Sequence, residues 1–386
     1  MKNLFWILLI MLVAFTQTKA GFINGTMTHQ NKVRKYVIYV PSIYYTQNKK
    51  VPLLIGLHGF GDDIANFSQI CMSNIADTAN YIVAYPEALA DPQLGANAWN
   101  SGAGAIGYIV NNTIDDVGFI NRLMDTVIAK YSIDTTRMYM FGFSFGGFMT
   151  NRMACEKSTR LAAVASVSGL KGNYVTATPQ VPMPYLHFHG TADQTIGYYG
   201  TSTMGFLPGL GLSAENTAKY WANHNHCNMT PVVDSMPNLK NDGLRFVRFS
   251  YLGGDNGSTA ILYKVMNGEH KWYGTPTNDI SYCQTIWSFL SQYSRTSTIT
   301  AIRNNSTKTS FKVFPNPSSG SITIQSETAV NIVQIWNIEG KILTEEKIDN
   351  QLTFTLSATL SNGVYLVRLL NKDDEAMGEE KLVIQH

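Results

Sequence analysis

The segment Gly142-Phe143-Ser144-Phe145-Gly146-Gly147 constrains this chain more than any other. It follows an apolar, strand-like run (residues 138–141) and precedes a helix-compatible one (148–155). Glycines without a Cβ let the chain turn sharply between the two and lift the Ser144 hydroxyl clear of a sheet. The helix then aims its N-terminal N–H groups at any negative charge developing there. The surroundings agree. Strand-like runs recur at residues 35–40, 52–58, 81–85, 138–143, 162–168 and 184–189. Helical patterns lie between them, as in Val117, Ile120, Leu123, Met124 and Val127, with later ones at 213–225 and 280–293. Strands alternating with helices predict an α/β domain over residues 21–293, a doubly wound, mostly parallel sheet covered on both faces. Runs at 244–251 and 260–265 around Gly253-Gly254-Asp255-Asn256-Gly257 read as a hairpin.

The chain has 386 residues and a net charge of +2 with 15% charged residues, so no basic face marks a nucleic-acid partner. Lys2 followed by an apolar run from Leu4 to Phe15 and by Thr18-Lys19-Ala20 reads as a cleaved secretory signal over residues 1–20. That run is too short for a stable membrane span. Residues 294–310, rich in Ser, Thr and Asn, read as a linker. Beyond them, strand-like runs at 311–314, 321–324, 332–336, 352–356 and 364–368 are spaced as in a small all-β sandwich, a second domain over 311–386. This domain carries Phe314-Pro315-Asn316-Pro317-Ser318-Ser319-Gly320, Asn337-Ile338-Glu339-Gly340-Lys341 and Leu360-Ser361-Asn362-Gly363-Val364-Tyr365-Leu366. In these motifs it resembles the C-terminal sorting domain of type IX secretion. The resemblance implies that type IX machinery is a partner and that the chain is secreted or held at the cell surface, after passage through the periplasm.

A serine hydroxyl needs a base to take its proton, and a carboxylate to orient that base. On a strand–turn–helix scaffold of this kind the order is Ser, then acid, then His. Eight histidines allow elimination. His29 lies near the mature start and His386 is terminal; His58 and His189 precede glycines at strand ends and read as loop-shaping. His187 reads as core, and His224 and His226 close a helix. His270, just after the last strand of the domain, is the expected base. Asp193, directly after the strand ending at His189, is the expected acid; Asp115 and Asp116 fit helix capping, and Glu269 is too close in sequence to His270. The His187/His189 and His224/His226 pairs lack a third ligand, so neither a metal nor any other cofactor is expected. Attack on a carbonyl requires prearranged oxyanion donors: the backbone N–H of Phe145, and that of Phe60 with Gly61 as the alternative.

These residues bring the α/β domain into a family pattern. It resembles the secreted feruloyl esterases and polyhydroxybutyrate depolymerase-like esterases of the α/β-hydrolase fold. The likeness is carried by Asp116-Val117-Gly118-Phe119-Ile120, Tyr131-Ser132-Ile133-Asp134 with Arg137, Gly142 to Gly147, Leu161-Ala162-Ala163-Val164-Ala165, His189-Gly190-Thr191-Ala192-Asp193, Tyr220-Trp221-Ala222 with Cys227, and Gly268 to Gly274. It implies carboxylic-ester hydrolysis with Ser144, Asp193 and His270 at the triad positions. The substrates implied are ester-bearing polysaccharide, feruloyl or acetyl, or else a polyester. Phe145, Lys271 and Tyr273 depart from the usual pattern and bear on substrate choice. Four cysteines in an exported chain allow two disulfides or buried thiols. Cys155 and Cys227 resemble paired positions in these esterases, which implies Cys155–Cys227 and leaves Cys71–Cys283. Trp99, Tyr198, Tyr199 and Trp272, near strand ends, either stack on an aromatic acyl group or sugar or pack in the core. A serine peptidase and a non-catalytic surface-binding protein stay open as other readings. The oligomeric state is left open.

Overall fold

The computed structural model describes residues 20–105, 107–200, 209–295, 311–337, 342–357, 360–371 and 376–386. The expected signal segment, most of the linker and the Ile338 to Lys341 part of the second sorting motif lie outside the described residues. The chain divides into two compact units at about residue 297.

In the first unit the strands are β1 (Gly21–His29), β2 (Lys32–Val40), β3 (Val51–Leu57), β4 (Ile82–Pro86), the short pair β5 (Gly104–Ala105) and β6 (Tyr108–Ile109), β7 (Ile133–Phe143), β8 (Ala163–Val167), β9 (Tyr185–Gly190), β10 (Val232–Ser235), β11 (Arg245–Tyr251) and β12 (Ala260–Met266). Ten of them form one sheet in the order β1-β2-β4-β3-β7-β8-β9-β12-β11-β10. The middle six, β4 to β12 in that order, run parallel, and the flanking strands are antiparallel. The helices are α1 (Ile64–Phe67), α2 (Met72–Ala79), α3 (Asp116–Lys130), α4 (Phe145–Glu156), α5 (Ala214–His224) and α6 (Tyr282–Leu290). The central strands β3, β4, β8 and β9 are buried along their whole length, as expected where helices cover both faces. Alternate residues of each strand therefore feed two cores. Ile55, Met140 and Tyr185 join one, with α3, α4 and α5; Leu54, Phe141 and Phe188 join the other, with α2 and α6.

Local signals explain the helix starts. Asp115 caps α3 by accepting from Gly118 N–H at 2.8 Å, while Asp116 is buried and paired with Arg34 at 2.6 Å. Ser213 caps α5 and Ser281 caps α6. Sequence patterning misses the edge strands β1 and β10. β1 is half exposed and interrupted by Gly25, and its one strand partner is β2, reached through a hairpin whose turn residues Gln30 and Asn31 have φ of 46° and 60°. β10 is four residues long and mostly exposed.

Cys71 and Cys283 form a disulfide between the start of α2 and α6, with Cα atoms 6.0 Å apart. Cys155 and Cys227, expected as a second bridge, are both free and buried. The Cys155 sulfur faces the Tyr220 hydroxyl at 3.8 Å, and the Cys227 sulfur faces the Ser258 carbonyl at 3.8 Å. Burial pushes the Cys155 thiol up to about 11, so it stays protonated.

The second unit is antiparallel: β13 (Phe311–Phe314), β14 (Ser321–Asn337), β15 (Ile342–Ser357), β16 (Gly363–Leu370) and β17 (Ala376–Ile384). The runs expected as separate strands at 321–324 and 332–336 are one long β14, broken by register shifts near Val330. All five strands are connected by hydrogen bonds through β14, which pairs with β13, β15 and β16, and they form an antiparallel β unit. Ser318 pairs with Ile384, tying the first turn to the last strand, and Ile322, Ile324, Val333, Ile335, Val367 and Leu382 share one core.

Candidate active site

The site is assembled at the C-terminal ends of β3, β7, β9 and β12. Ser144, between β7 and α4, has φ 55° and ψ −121°, a conformation that L residues adopt only when the surroundings impose it. Its N–H donates to Val167 O at 2.8 Å. The flanking glycines are obligatory by contact. A Cβ at Gly142 would land on the Gly146 carbonyl, and one at Gly146 would land on the Leu57 carbonyl oxygen. A Cβ at Gly147 would sit 2.6 Å from Ser166 Oγ. The Ser144 hydroxyl makes no capping bond to its own helix. Ser144 O takes the first intrahelical bond, from Phe148 N–H at 3.1 Å, so the N–H groups of Phe145, Gly146 and Gly147 form the open end of α4.

The loop after β3 comes alongside. A Cβ on Gly59 would lie 3.3 Å from Ser144 Cβ, and the Phe60 ring packs on Phe145 with centroids 5.5 Å apart. His58 holds this loop from inside: its Nε2 accepts from Ala88 N–H at 3.0 Å, so its Nδ1–H donates to Gly59 O at 2.7 Å. Gly61 N–H is engaged by Asn97 O at 2.8 Å, which removes Gly61 as the alternative oxyanion donor. Nothing in the sequence pattern singled out Asn97.

Asp193 and His270, 77 residues apart, are brought together by two strand ends that grip each other. Ala192 N–H donates to Gly268 O at 2.9 Å, and Asn267 N–H donates to Thr191 Oγ1 at 2.9 Å. Gly190 must be glycine, because a Cβ there would strike the Gly268 backbone. His270 Nδ1 then lies 2.7 Å from Asp193 Oδ2. Asp193 Oδ1 accepts from Thr195 N–H at 3.0 Å and Ile196 N–H at 2.8 Å. Burial pushes the Asp193 carboxyl up, but the hydrogen bond and charge of His270, with His189 and the Ile196 N–H, outweigh it and hold the carboxyl below its ordinary value. The acid is therefore a carboxylate at neutral pH. The His270 ring lies on Phe143, the residue before Ser144, with centroids 4.9 Å apart. No hydrogen bond joins Ser144 Oγ to His270 among the described residues; such bonds commonly tighten only in the substrate complex. Glu269 is turned away into an ion pair with Lys271.

Of the four expected substrate-facing rings, two are corrected. Trp99 is fully buried, its indole N–H bonded to His58 O at 2.9 Å, and Tyr198 is 1% exposed and bonded to Glu215. Neither presents a face to solvent. Trp272 is partly covered, wedged against Phe67, Phe141, Phe143 and Tyr282. Tyr199 is 73% exposed. No group of three His, Cys, Asp or Glu side chains is arranged to hold a metal among the described residues. No described helix is long and apolar enough to cross a membrane.

The model of the phospholipase/carboxylesterase family matches residues 39–248, and that of the secretion-system C-terminal sorting domain matches residues 312–385. The chain is 27% identical over 304 residues to a bifunctional acetylxylan esterase/xylanase of Neocallimastix patriciarum, covering 77% of this chain and 38% of that one. It is 31% identical over 207 residues to feruloyl esterase B of Piromyces equi, covering 51% of this chain and 37% of that one. The chain thus spans well under half the length of these two relatives. Among solved structures, the acetyl xylan esterase from Aspergillus awamori aligns with a TM-score of 0.46 at 14% identity, over 70% of this chain and 99% of that one. With a nucleophile-elbow turn at the heart of a mostly parallel sheet and a family match over more than half its length, the chain belongs to the phospholipase/carboxylesterase family of α/β-hydrolases, and its type IX sorting domain marks it for secretion or cell-surface attachment.

Proposed function

We propose that the chain is a serine carboxylesterase that removes feruloyl or acetyl groups from plant polysaccharide through an acyl-enzyme. The observation that carries this reading is the 2.7 Å contact of Asp193 with His270, whose ring lies on Phe143, the residue before the strained Ser144. Ser144 Oγ attacks the ester carbonyl carbon as its proton passes to His270 Nε2, and Asp193 keeps the other ring nitrogen protonated and steadies the imidazolium. The carbonyl oxygen, now an anion, is held by the N–H groups of Phe145 and Phe60; losing one such donor costs roughly 3 kcal/mol of barrier. The alcohol leaves with the proton from His270. Water then attacks the acyl-serine, giving its proton to His270, and the acid departs as Ser144 regains its hydrogen.

The feruloyl and acetyl assignment is supported by the likeness to an acetylxylan esterase and a feruloyl esterase. Of the four rings expected to face substrate, Tyr199 and Trp272 keep surface that a phenolic group or sugar could meet. Ser144→Ala should abolish hydrolysis of methyl ferulate and acetylated xylan while leaving the melting temperature near that of the parent. Full activity in Ser144→Ala would discard the assignment. A parent enzyme that releases 3-hydroxybutyrate from polyhydroxybutyrate but acts on neither of the other esters would transfer the reading to a polyester depolymerase.

A further inference from the structure

We propose that His189, backed by His187 and Tyr185, is a positioning residue for Asp193, acting through a one-way hydrogen-bond chain that ends on the acid's own turn. This rests on the reading of Asp193 as the group that orients His270. In β9 the residues Tyr185, His187 and His189 alternate onto one face, and all three are fully buried. Their rings stack as a ladder, with centroids 5.9 Å apart between Tyr185 and His187 and 5.3 Å between His187 and His189.

The direction of the chain follows from its last member. His189 Nε2 lies 2.7 Å from Ile196 O, and a carbonyl can only accept, so Nε2 carries the proton. His189 Nδ1 must then accept, and it does so from His187 Nε2–H at 3.1 Å. His187 Nδ1 in turn accepts from the Tyr185 hydroxyl at 2.9 Å. Both imidazoles are satisfied as neutral groups, in agreement with burial, which pushes both below the ordinary histidine value.

The chain ends where the acid is built. Ile196 N–H holds Asp193 Oδ1, and Ile196 O is held by His189, so one peptide residue is gripped from both sides. His189 Nε2 also lies 3.6 Å from Asp193 Oδ2, the oxygen that meets His270. A neutral N–H there favours the carboxylate without offering a second cation to it. Two buried imidazoles where leucine or valine would fill the space carry a desolvation cost. Aiming the carboxylate is the return: an error of about 1 Å in such a group can cost roughly 100-fold in rate.

The test compares His189→Asn with His189→Gln. Both are neutral amides, but only glutamine is long enough to place its N–H at the Nε2 position. We expect His189→Asn to lower kcat on p-nitrophenyl acetate by about 10- to 100-fold with KM within about twofold, and to slow fluorophosphonate labelling of Ser144 by the same factor. His189→Gln should recover most of that loss. An Asn variant within about threefold of the parent, or a folded Gln variant as slow as Asn, would overturn the proposal. His270→Ala run alongside separates the two readings. Full activity there removes the base assignment and this proposal with it; an inactive His270→Ala beside an unimpaired His189→Asn removes only the positioning role. A check independent of variant folding uses the parent enzyme labelled with 15N-histidine. Its spectra should place the proton of both His187 and His189 on Nε2, and a proton on Nδ1 of His189 would refute the chain.

Discussion

Asp193→Asn tests the orienting role most sharply, because the surroundings decide which way the new amide faces. Oδ1 accepts two backbone N–H groups, from Thr195 and Ile196, so the asparagine oxygen must stay there. Its NH2 then falls at the Oδ2 position, 2.7 Å from His270 Nδ1. A donor facing Nδ1 forces that nitrogen to present its lone pair, and the ring proton moves to Nε2. His270 in that tautomer cannot accept the proton of Ser144. The volume hardly changes, so folding should survive while catalysis does not. Loss of the correct tautomer in such a triad costs about four orders of magnitude in kcat, or about 5 kcal/mol of barrier. The assay is steady-state hydrolysis of p-nitrophenyl acetate near neutral pH, with circular dichroism and a thermal melt as the folding control. A folded Asp193→Asn enzyme retaining kcat within about tenfold of the parent would show that Asp193 does not set the tautomer, and the proposed mechanism would lose its acid.

Cys71→Ala with Cys283→Ala opens a loop of 212 residues, for which chain entropy gives about 5 kcal/mol of lost stability; a guanidinium midpoint unchanged from the parent would contradict this. Thiol titration of the denatured, unreduced chain should count two free cysteines, Cys155 and Cys227, and a count of zero would restore the second bridge. Acid should destabilise the fold early. His58, His187 and His189 are buried with values lowered by desolvation, so below about pH 6.5 the unfolded chain takes up protons that the native one refuses. Each then removes about 1.4 kcal/mol per pH unit until its lowered native value is reached, and replacing His187 with phenylalanine should flatten the fall of melting temperature between pH 7 and 5. Gly146→Ala should cost about 1–3 kcal/mol and most activity, because its methyl meets the Leu57 and His58 carbonyls; an unshifted melt would refute that crowding.

Periodicity and turn chemistry are local, and what they encode was legible. Residues 138–155 announce a strand, a turn needing small flanks and a helix, and the alternation around them implies the parallel sheet. Where local signals weaken, the reading falls short. The edge strand β1 has no continuous apolar face, and β14 bends at a bulge that the intervening polar residues made look like a loop. Aromatics near strand ends carry no mark of burial, so Trp99 and Tyr198 looked as available as Tyr199.

The amino-acid sequence by itself determined the layered α/β domain, the sharp serine-bearing turn and the separate β unit later in the chain, because each depends on neighbours within a few residues. Tertiary structure alone decided that Gly190 and Gly268 pack backbone to backbone and so carry Asp193 to His270, that Asn97 takes the N–H of Gly61, and that Cys155 turns to Tyr220 rather than to Cys227. Those contacts join segments separated by tens to hundreds of residues, and their geometry comes from how the sheet twists and the helices seat, which no run of local residues specifies.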